Sequence, residues 1–168
     1  KGKRVSTGSP GSATEVMAFR LIEAAGLDKD RDLKRERLGV AESVNAIKDG
    51  KIDAFFWSGA VPTSSIIDLA STPGLKMVLL PVGGQIAETI MKGNPGVFHK
   101  TVFAKGDYSS ITTDVEAIAI TAVLQAMDTF PTDKLYQIVK AIFDAMQVFR
   151  GDAEQADDQT VVVVKITQ

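Results

Sequence analysis

Apolar runs alternate with helical patterns through the first half of the chain. Four short runs are typical of strands: residues 3–6, 34–38, 52–57 and 75–80. Three stretches between them have the apolar spacing of helices: residues 15–25, 41–49 and 63–70. Strands separated by helices of about ten residues predict parallel βαβ units. We therefore expect an α/β fold with a mostly parallel sheet flanked by helices.

The second half of the chain has a looser pattern. It predicts a helix at residues 85–91, a turn at 92–98 and short strands at 101–104 and 161–164. Residues 115–123 are expected to form a buried strand, and residues 132–149 an amphipathic helix. The apolar stripe of that helix predicts a core-facing side. It consists of Leu135, Ile138, Val139, Ile142, Phe143, Met146 and Phe149.

A glycine-rich turn at residues 7–14 (Thr-Gly-Ser-Pro-Gly-Ser-Ala-Thr) joins the first strand to the first helix. The first turn of a helix has free N–H groups and a partial positive charge, which favour an anion. Gly8 and Gly11 let a ligand approach the backbone closely. The alternative is a simple helix cap, in which the hydroxyls bind the helix's own N–H groups. Those hydroxyls belong to Ser9, Ser12 and Thr14.

A second turn of small residues, at 58–63, follows the aromatic strand at 52–57. Ligands of open α/β sheets bind beyond the carboxyl ends of the strands, and both turns lie at such ends. Trp57, at the end of its strand, is either an apolar wall of the pocket or a core residue. The two turns together predict a binding site at this edge of the sheet.

Composition excludes several classes of function. The 168 residues are 45% hydrophobic and 24% charged, which is typical of one globular domain or a lobe of a larger protein. A net charge of -2 argues against a nucleic-acid partner. The absence of cysteine excludes thiolate catalysis and disulfides. No signal peptide is expected at the Lys-Gly-Lys-Arg start, which resembles the middle of a longer product.

Reactive side chains give little support for catalysis. His99 is the single histidine, and no Gly-x-Ser-x-Gly motif is present. The Asp157–Asp158 pair would either ligate a hard cation or form a solvated turn. We expect no catalytic residue, no metal site and no cofactor in the main body of the chain.

Two blocks, residues 2–16 and 41–59, resemble the TAXI family of extracytoplasmic solute receptors, which serve tripartite TRAP transporters. The resemblance covers residues 1–149. It implies one lobe of a type II periplasmic-binding-protein fold, and a small carboxylate or amino-acid ligand delivered to membrane permease subunits. It also implies a periplasmic location. The ligand-binding residues it implies are Gly8, Ser9, Gly11, Ser12, Ala13, Thr14, Trp57, Ser58 and Gly59.

The chain departs from that family in two respects. The first lobe of the receptors is absent from this sequence, so we expect an exposed apolar surface and self-association through it. Residues 150–168 are expected to form a separate tail, because residues 151–164 resemble the end of PPM-type serine/threonine phosphatases. In those phosphatases the acidic pair before the last strand helps to hold metal. The alternative function is therefore a metal-dependent, phosphatase-linked sensor or fusion, and a third is a domain used only for protein contacts.

Overall fold

A computed structural model describes residues 1–120, 123–150 and 162–166. At residues 123, 124, 149, 150 and 162–166 it describes the backbone alone. The chain forms two compact units, residues 1–120 and 121–168.

The first unit is built on a small parallel sheet. Its elements are β1 (Arg4–Ser6), α1 (Ala13–Ala24), β2 (Lys34–Glu36), α2 (Val40–Lys48), β3 (Ala54–Phe55), α3 (Ser64–Ala70), α4 (Gly84–Gly93), β4 (Phe98–Phe103) and β5 (Val115–Ile120). The parallel strands have the order β2-β1-β3, and β4 pairs with β5 antiparallel. Helices follow each parallel strand, which confirms the predicted α/β fold with a parallel sheet flanked by helices.

The core of this unit lies under α2 and α3. Val44 of α2, Ile66 and Leu69 of α3, and Tyr108 and Ile111 of the loop before β5 form one buried cluster. Aliphatic residues at helical spacing place these side chains on one face of each helix.

The central strand β1 is the most enclosed part of the sheet. Val5 is buried opposite Arg35 of β2 and Ala54 of β3, and Ser6 is fully buried. Its hydroxyl accepts a hydrogen bond from Ser43 Oγ at 2.9 Å and another from the Leu38 N–H at 3.3 Å. Ser6 therefore connects the end of β1 to the loop after β2 and to helix α2.

The strand predicted at residues 75–80 is wrong. The burial of residues 77–80 alternates, but the segment has no ladder partner among the described residues. Met77 and Leu79 pack against the buried cluster, whereas Val78 and Leu80 are 63% and 73% exposed. Every second side chain packs against the buried cluster, so burial alternates along the segment although no strand pairs with it.

The antiparallel pair also differs from expectation. β4 begins at Phe98, so the strand predicted at 101–104 is longer and starts within the predicted turn. The strand predicted at 115–123 is present as β5, but it ends at Ile120 and is half-exposed, so its predicted burial is wrong. Among the described residues β4 is the one strand that pairs with β5, so the other edge of β5 has no strand neighbour.

The second unit contains β6 (Val123–Met127), α5 (Thr132–Arg150) and β7 (Val162–Ile166), with β6 and β7 parallel. The predicted helix is present, but its apolar stripe is not a buried core. Ile138 and Ile142 are exposed. A two-stranded sheet is too small to cover the apolar face of a 19-residue helix. The side chain of Phe149 lies outside the described residues, and the other members are partly buried: Leu135, Val139, Phe143 and Met146.

We predict that Ser6→Ala lowers the free energy of unfolding by about 1–3 kcal/mol, because the Leu38 N–H and the Ser43 hydroxyl lose a buried acceptor. Urea unfolding followed by circular dichroism measures this change. Ser64→Ala is the control, since Ser64 is exposed and makes no side-chain hydrogen bond among the described residues. Equal effects of the two substitutions would contradict the structural role of Ser6.

Candidate functional site

Three loops enclose a small cavity at the carboxyl ends of β1, β2 and β3. Its volume is about 90 Å³. The position is the one at which open α/β sheets bind ligands. The residues that line it are Gly8, Ser9, Ser12 and Thr14 after β1, Leu38, Gly39 and Val40 after β2, and Phe56 and Trp57 after β3.

The structure brings the turn at residues 7–14 and the end of the aromatic strand to this one cavity, whereas no residue of the turn at 58–63 lines it. Five of the sequence-predicted residues line it: Gly8, Ser9, Ser12, Thr14 and Trp57.

The other four sequence-predicted residues lie beside the cavity and do not line it. The Gly11 N–H donates to Glu15 Oε2 at 2.8 Å, and Ala13 is the exposed first residue of α1. The Ser58 N–H donates to Thr14 Oγ1 at 3.3 Å and so joins the third loop to the first. Gly59 lies against the indole of Trp57.

Sequence reasoning missed the loop after β2. Gly39 caps α2, and its N–H donates to Glu42 Oε2 at 2.6 Å. A glycine followed three residues later by glutamate, just before a helical pattern, is the signal that would have identified this third helix start. Phe56 was assigned to the strand alone, although it also lines the cavity.

The backbone geometry of the first loop requires glycine at position 8. Gly8 has φ +97°, a conformation that residues with a side chain rarely adopt. A Cβ there would lie 2.8 Å from the Cβ of Thr14. The loop therefore closes tightly over the first turn of α1.

The first turn contains a helix cap and also donors that remain free, in different groups. Ser12 is the N-cap of α1, and its Oγ accepts from the Glu15 N–H at 3.1 Å. The N–H groups of Ala13 and Thr14 in α1, and of Val40 and Ala41 in α2, have no acceptor among the described residues. Ser9 Oγ has no partner there either. Of these four residues Thr14 and Val40 line the cavity, so each helix start brings one residue with a free N–H group to it.

A buried carboxylate stands beside these donors. Glu15 is buried and accepts from Arg37 Nε at 2.9 Å, and Arg35 Nη1 lies 3.4 Å from it. The Gly11 N–H lowers the pKa of Glu15 most, and Arg37 and then Arg35 lower it further. Glu15 is therefore ionised at neutral pH, with its charge balanced by two arginines.

Trp57 is held in a fixed orientation. Its Nε1–H donates to Thr63 Oγ1 at 3.0 Å, and the Thr63 hydroxyl donates to the carbonyl of Ala60 at 2.6 Å. A Cβ at Gly59 would overlap the indole ring, so the ring and the glycine are packed face to face. Trp57 nevertheless remains 42% exposed.

The described residues contain no cluster of three or more histidine, aspartate or glutamate side chains that could hold a metal ion. His99 is exposed on β4. The Asp157–Asp158 pair lies outside the described residues. In the described part of the chain, no helix is both long enough and apolar enough to cross a membrane.

A parallel sheet flanked by helices, with a cavity at the carboxyl ends of its strands, is the architecture of an α/β binding-protein lobe. The NMT1-like family matches residues 1–162, and the chain belongs to that family. It is a periplasmic-binding-protein-like family related to solute receptors, and its members are in general non-enzymatic binding proteins. The match includes residues 150–162, the larger part of the segment expected to be a separate tail.

We predict that Glu15→Gln lowers the melting temperature at pH 7 and that the difference from wild type shrinks in acid. The lowered pKa means that ionised Glu15 stabilises the fold above its unfolded pKa of about 4.3. That contribution is lost as the pH falls through the lower folded value. Thermal unfolding between pH 2 and pH 7 measures it, with Glu23→Gln, an exposed site on the same helix, as control. A difference that does not change with pH would contradict this role.

Proposed function

We propose that this chain is the ligand-binding lobe of an extracytoplasmic solute receptor of the TAXI type, serving a TRAP transporter. It binds a small carboxylate or amino-acid-like ligand without chemistry, and membrane permease subunits receive the ligand. The observation that carries the proposal is the set of free N–H groups from two helix starts around one cavity.

These donors favour an anion. Free N–H groups of a first helical turn point outward along the helix axis, where the partial positive charge of the helix is concentrated. The Ser9 hydroxyl, which also lines the cavity, adds a donor that no acceptor among the described residues uses. A carboxylate has two oxygens, and one can accept from the turn before α1 while the other accepts from α2.

The charge balance supports the same ligand class. Glu15 is a buried carboxylate that Arg37 and Arg35 neutralise, and Arg35 also pairs with Asp30. A carboxylate in the cavity therefore meets hydrogen-bond donors, and the negative charge of Glu15 beside it is already paired. In a two-lobed receptor, closure over this edge would supply the remaining contacts.

The proposal also includes an apolar surface that contacts another lobe or another copy of the chain. Val78 and Leu80 have the exposed side chains that such a surface needs. Large apolar side chains in open solvent are typical of a contact surface. We assign them to a partner lobe or to a second copy of the chain.

The test of this function is thermal unfolding with acetate, succinate and glutamate, each with and without Mg²⁺ or Mn²⁺. A ligand that binds only the folded state raises the melting temperature by mass action. We expect a carboxylate to raise it equally with and without metal. Stabilisation by metal alone would contradict the proposal and favour the phosphatase-linked alternative.

Two serine substitutions distinguish a binding site from a helix cap. Ser9→Ala should weaken carboxylate binding about fivefold, equivalent to about 1 kcal/mol, while the melting temperature stays unchanged. Ser12→Ala removes the cap of α1 and should lower stability by about 1 kcal/mol. Calorimetric titration and thermal unfolding of both variants measure the two effects. Unchanged affinity in Ser9→Ala would count against this cavity as the site.

A further inference from the structure

Thr63 stands at the start of α3, but its side chain does not cap that helix. A threonine in this position ordinarily accepts from an N–H group of the first helical turn and so stabilises the helix. The side chain of Thr63 makes no such hydrogen bond. Its hydroxyl accepts from the Trp57 Nε1–H at 3.0 Å and donates to the carbonyl of Ala60 at 2.6 Å. The hydroxyl therefore fixes the indole ring instead of the helix.

The ring of Trp57 has few other constraints. It lines the cavity and is partly exposed, so packing alone does not fix its orientation. The indole has one donor, and Thr63 is its acceptor. Gly59 limits the ring from one side, because a Cβ there would overlap it. The orientation of the ring at the cavity therefore depends on where the Thr63 hydroxyl lies.

Tyr108 sets the position of Thr63 from the core. Its side chain is buried in the cluster that contains Ile66 and Leu69 of α3. Its Oη accepts from the backbone N–H of Thr63 at 3.0 Å. A buried tyrosine hydroxyl usually finds a hydrogen-bond partner, and here the partner is the residue that holds Trp57. Hydrogen bonds thus connect the core to the cavity through Thr63.

The loop that carries Tyr108 is itself held by hydrogen bonds. Asp107 Oδ2 accepts from the Ala104 N–H at 2.8 Å. The Ile111 N–H donates to the carbonyl of Tyr108 at 2.9 Å, and Ile111 is buried in the same cluster. Tyr108 is therefore a fixed point to which the loop after β3 is attached.

We propose that Tyr108 and Thr63 are positioning residues of this cavity, which hold the ring of Trp57 in the orientation that a ligand meets. Neither residue lines the cavity. The inference deepens the proposed function and rests on it in one respect, that the cavity takes a ligand. A purely stabilising role would change the free energy of unfolding but not the environment of the indole in the folded chain.

The fluorescence of Trp57 tests the first hydrogen bond, because it is the single tryptophan of the chain. Tyr108→Phe keeps the buried ring and removes the acceptor of the Thr63 N–H. We expect the emission maximum to shift to longer wavelength, quenching by acrylamide to increase and the near-ultraviolet circular dichroism of the indole to weaken. The far-ultraviolet spectrum, which should not change, shows that the chain is folded. Tyr136→Phe is the matched control, since Tyr136 is the other tyrosine and is exposed on α5.

Two substitutions at Thr63 test the second hydrogen bond. Thr63→Val keeps the shape of the side chain and removes the hydroxyl, so it should reproduce the spectral changes of Tyr108→Phe. Thr63→Ser keeps the hydroxyl and should retain the wild-type spectra. Because the hydroxyl does not cap α3, Thr63→Val removes no helix cap. This pair decides the inference if Tyr108→Phe does not fold.

Calorimetric titration connects the orientation of the ring to binding. The probe is whichever of acetate, succinate and glutamate binds the wild-type chain most tightly. A ring that must be ordered again on binding should weaken this probe about fivefold in Tyr108→Phe and in Thr63→Val. Tyr136→Phe should bind it as the wild type does.

The outcomes separate this inference from the proposed function. Unchanged indole spectra in either folded variant, Tyr108→Phe or Thr63→Val, would overturn the inference. Changed spectra with unchanged affinity would also overturn it, because the orientation of the ring would then not matter for binding. If none of the three carboxylates binds the wild-type chain, the proposed function fails, and the spectra still decide whether Tyr108 and Thr63 hold the ring.

Discussion

The buried hydroxyl of Ser6 is the contact on which the geometry of this edge of the sheet depends. It lies at the end of the central strand and binds Leu38 in the next loop and Ser43 in α2. A buried hydroxyl left without partners is costly, so the three segments hold one another in place. Because β1 pairs in parallel with both neighbours, the loops that follow all three strands meet at the same edge. A cavity there is a consequence of topology and of this one polar contact.

The polar groups of the cavity divide into those that stabilise the fold and those that remain free. Ser12 and Glu15 complete the start of α1, and Glu42 completes the start of α2. Further N–H groups in the same helical turns have no acceptor among the described residues. The same feature, a helix start at the end of a strand, therefore stabilises the loop and also leaves the donors on which the proposed anion site depends.

The local signals in the sequence predicted this arrangement in part. Strand-turn-helix punctuation and small residues identified the loops after β1 and β3, because glycine, serine and proline mark turns directly. The loop after β2 was missed because Gly39 stands alone and Leu38 and Val40 have no polar signature. Residues 75–80 and the stripe of α5 failed for a different reason. Side-chain periodicity reports which faces are apolar, and it does not report whether a neighbouring strand or surface exists to cover them.

The most direct test of the account is a titration of the ¹⁵N-labelled chain with acetate, followed through its backbone amide resonances. The account predicts that the amides of Ser9, Thr14 and Val40 shift together with one dissociation constant. The amides of Asp30 and Arg31, already bound to the side chain of Asp28, should not move. Shifts that avoid the three loops, or shifts spread evenly over the surface, would contradict the claim that free helix-start amides form an anion site.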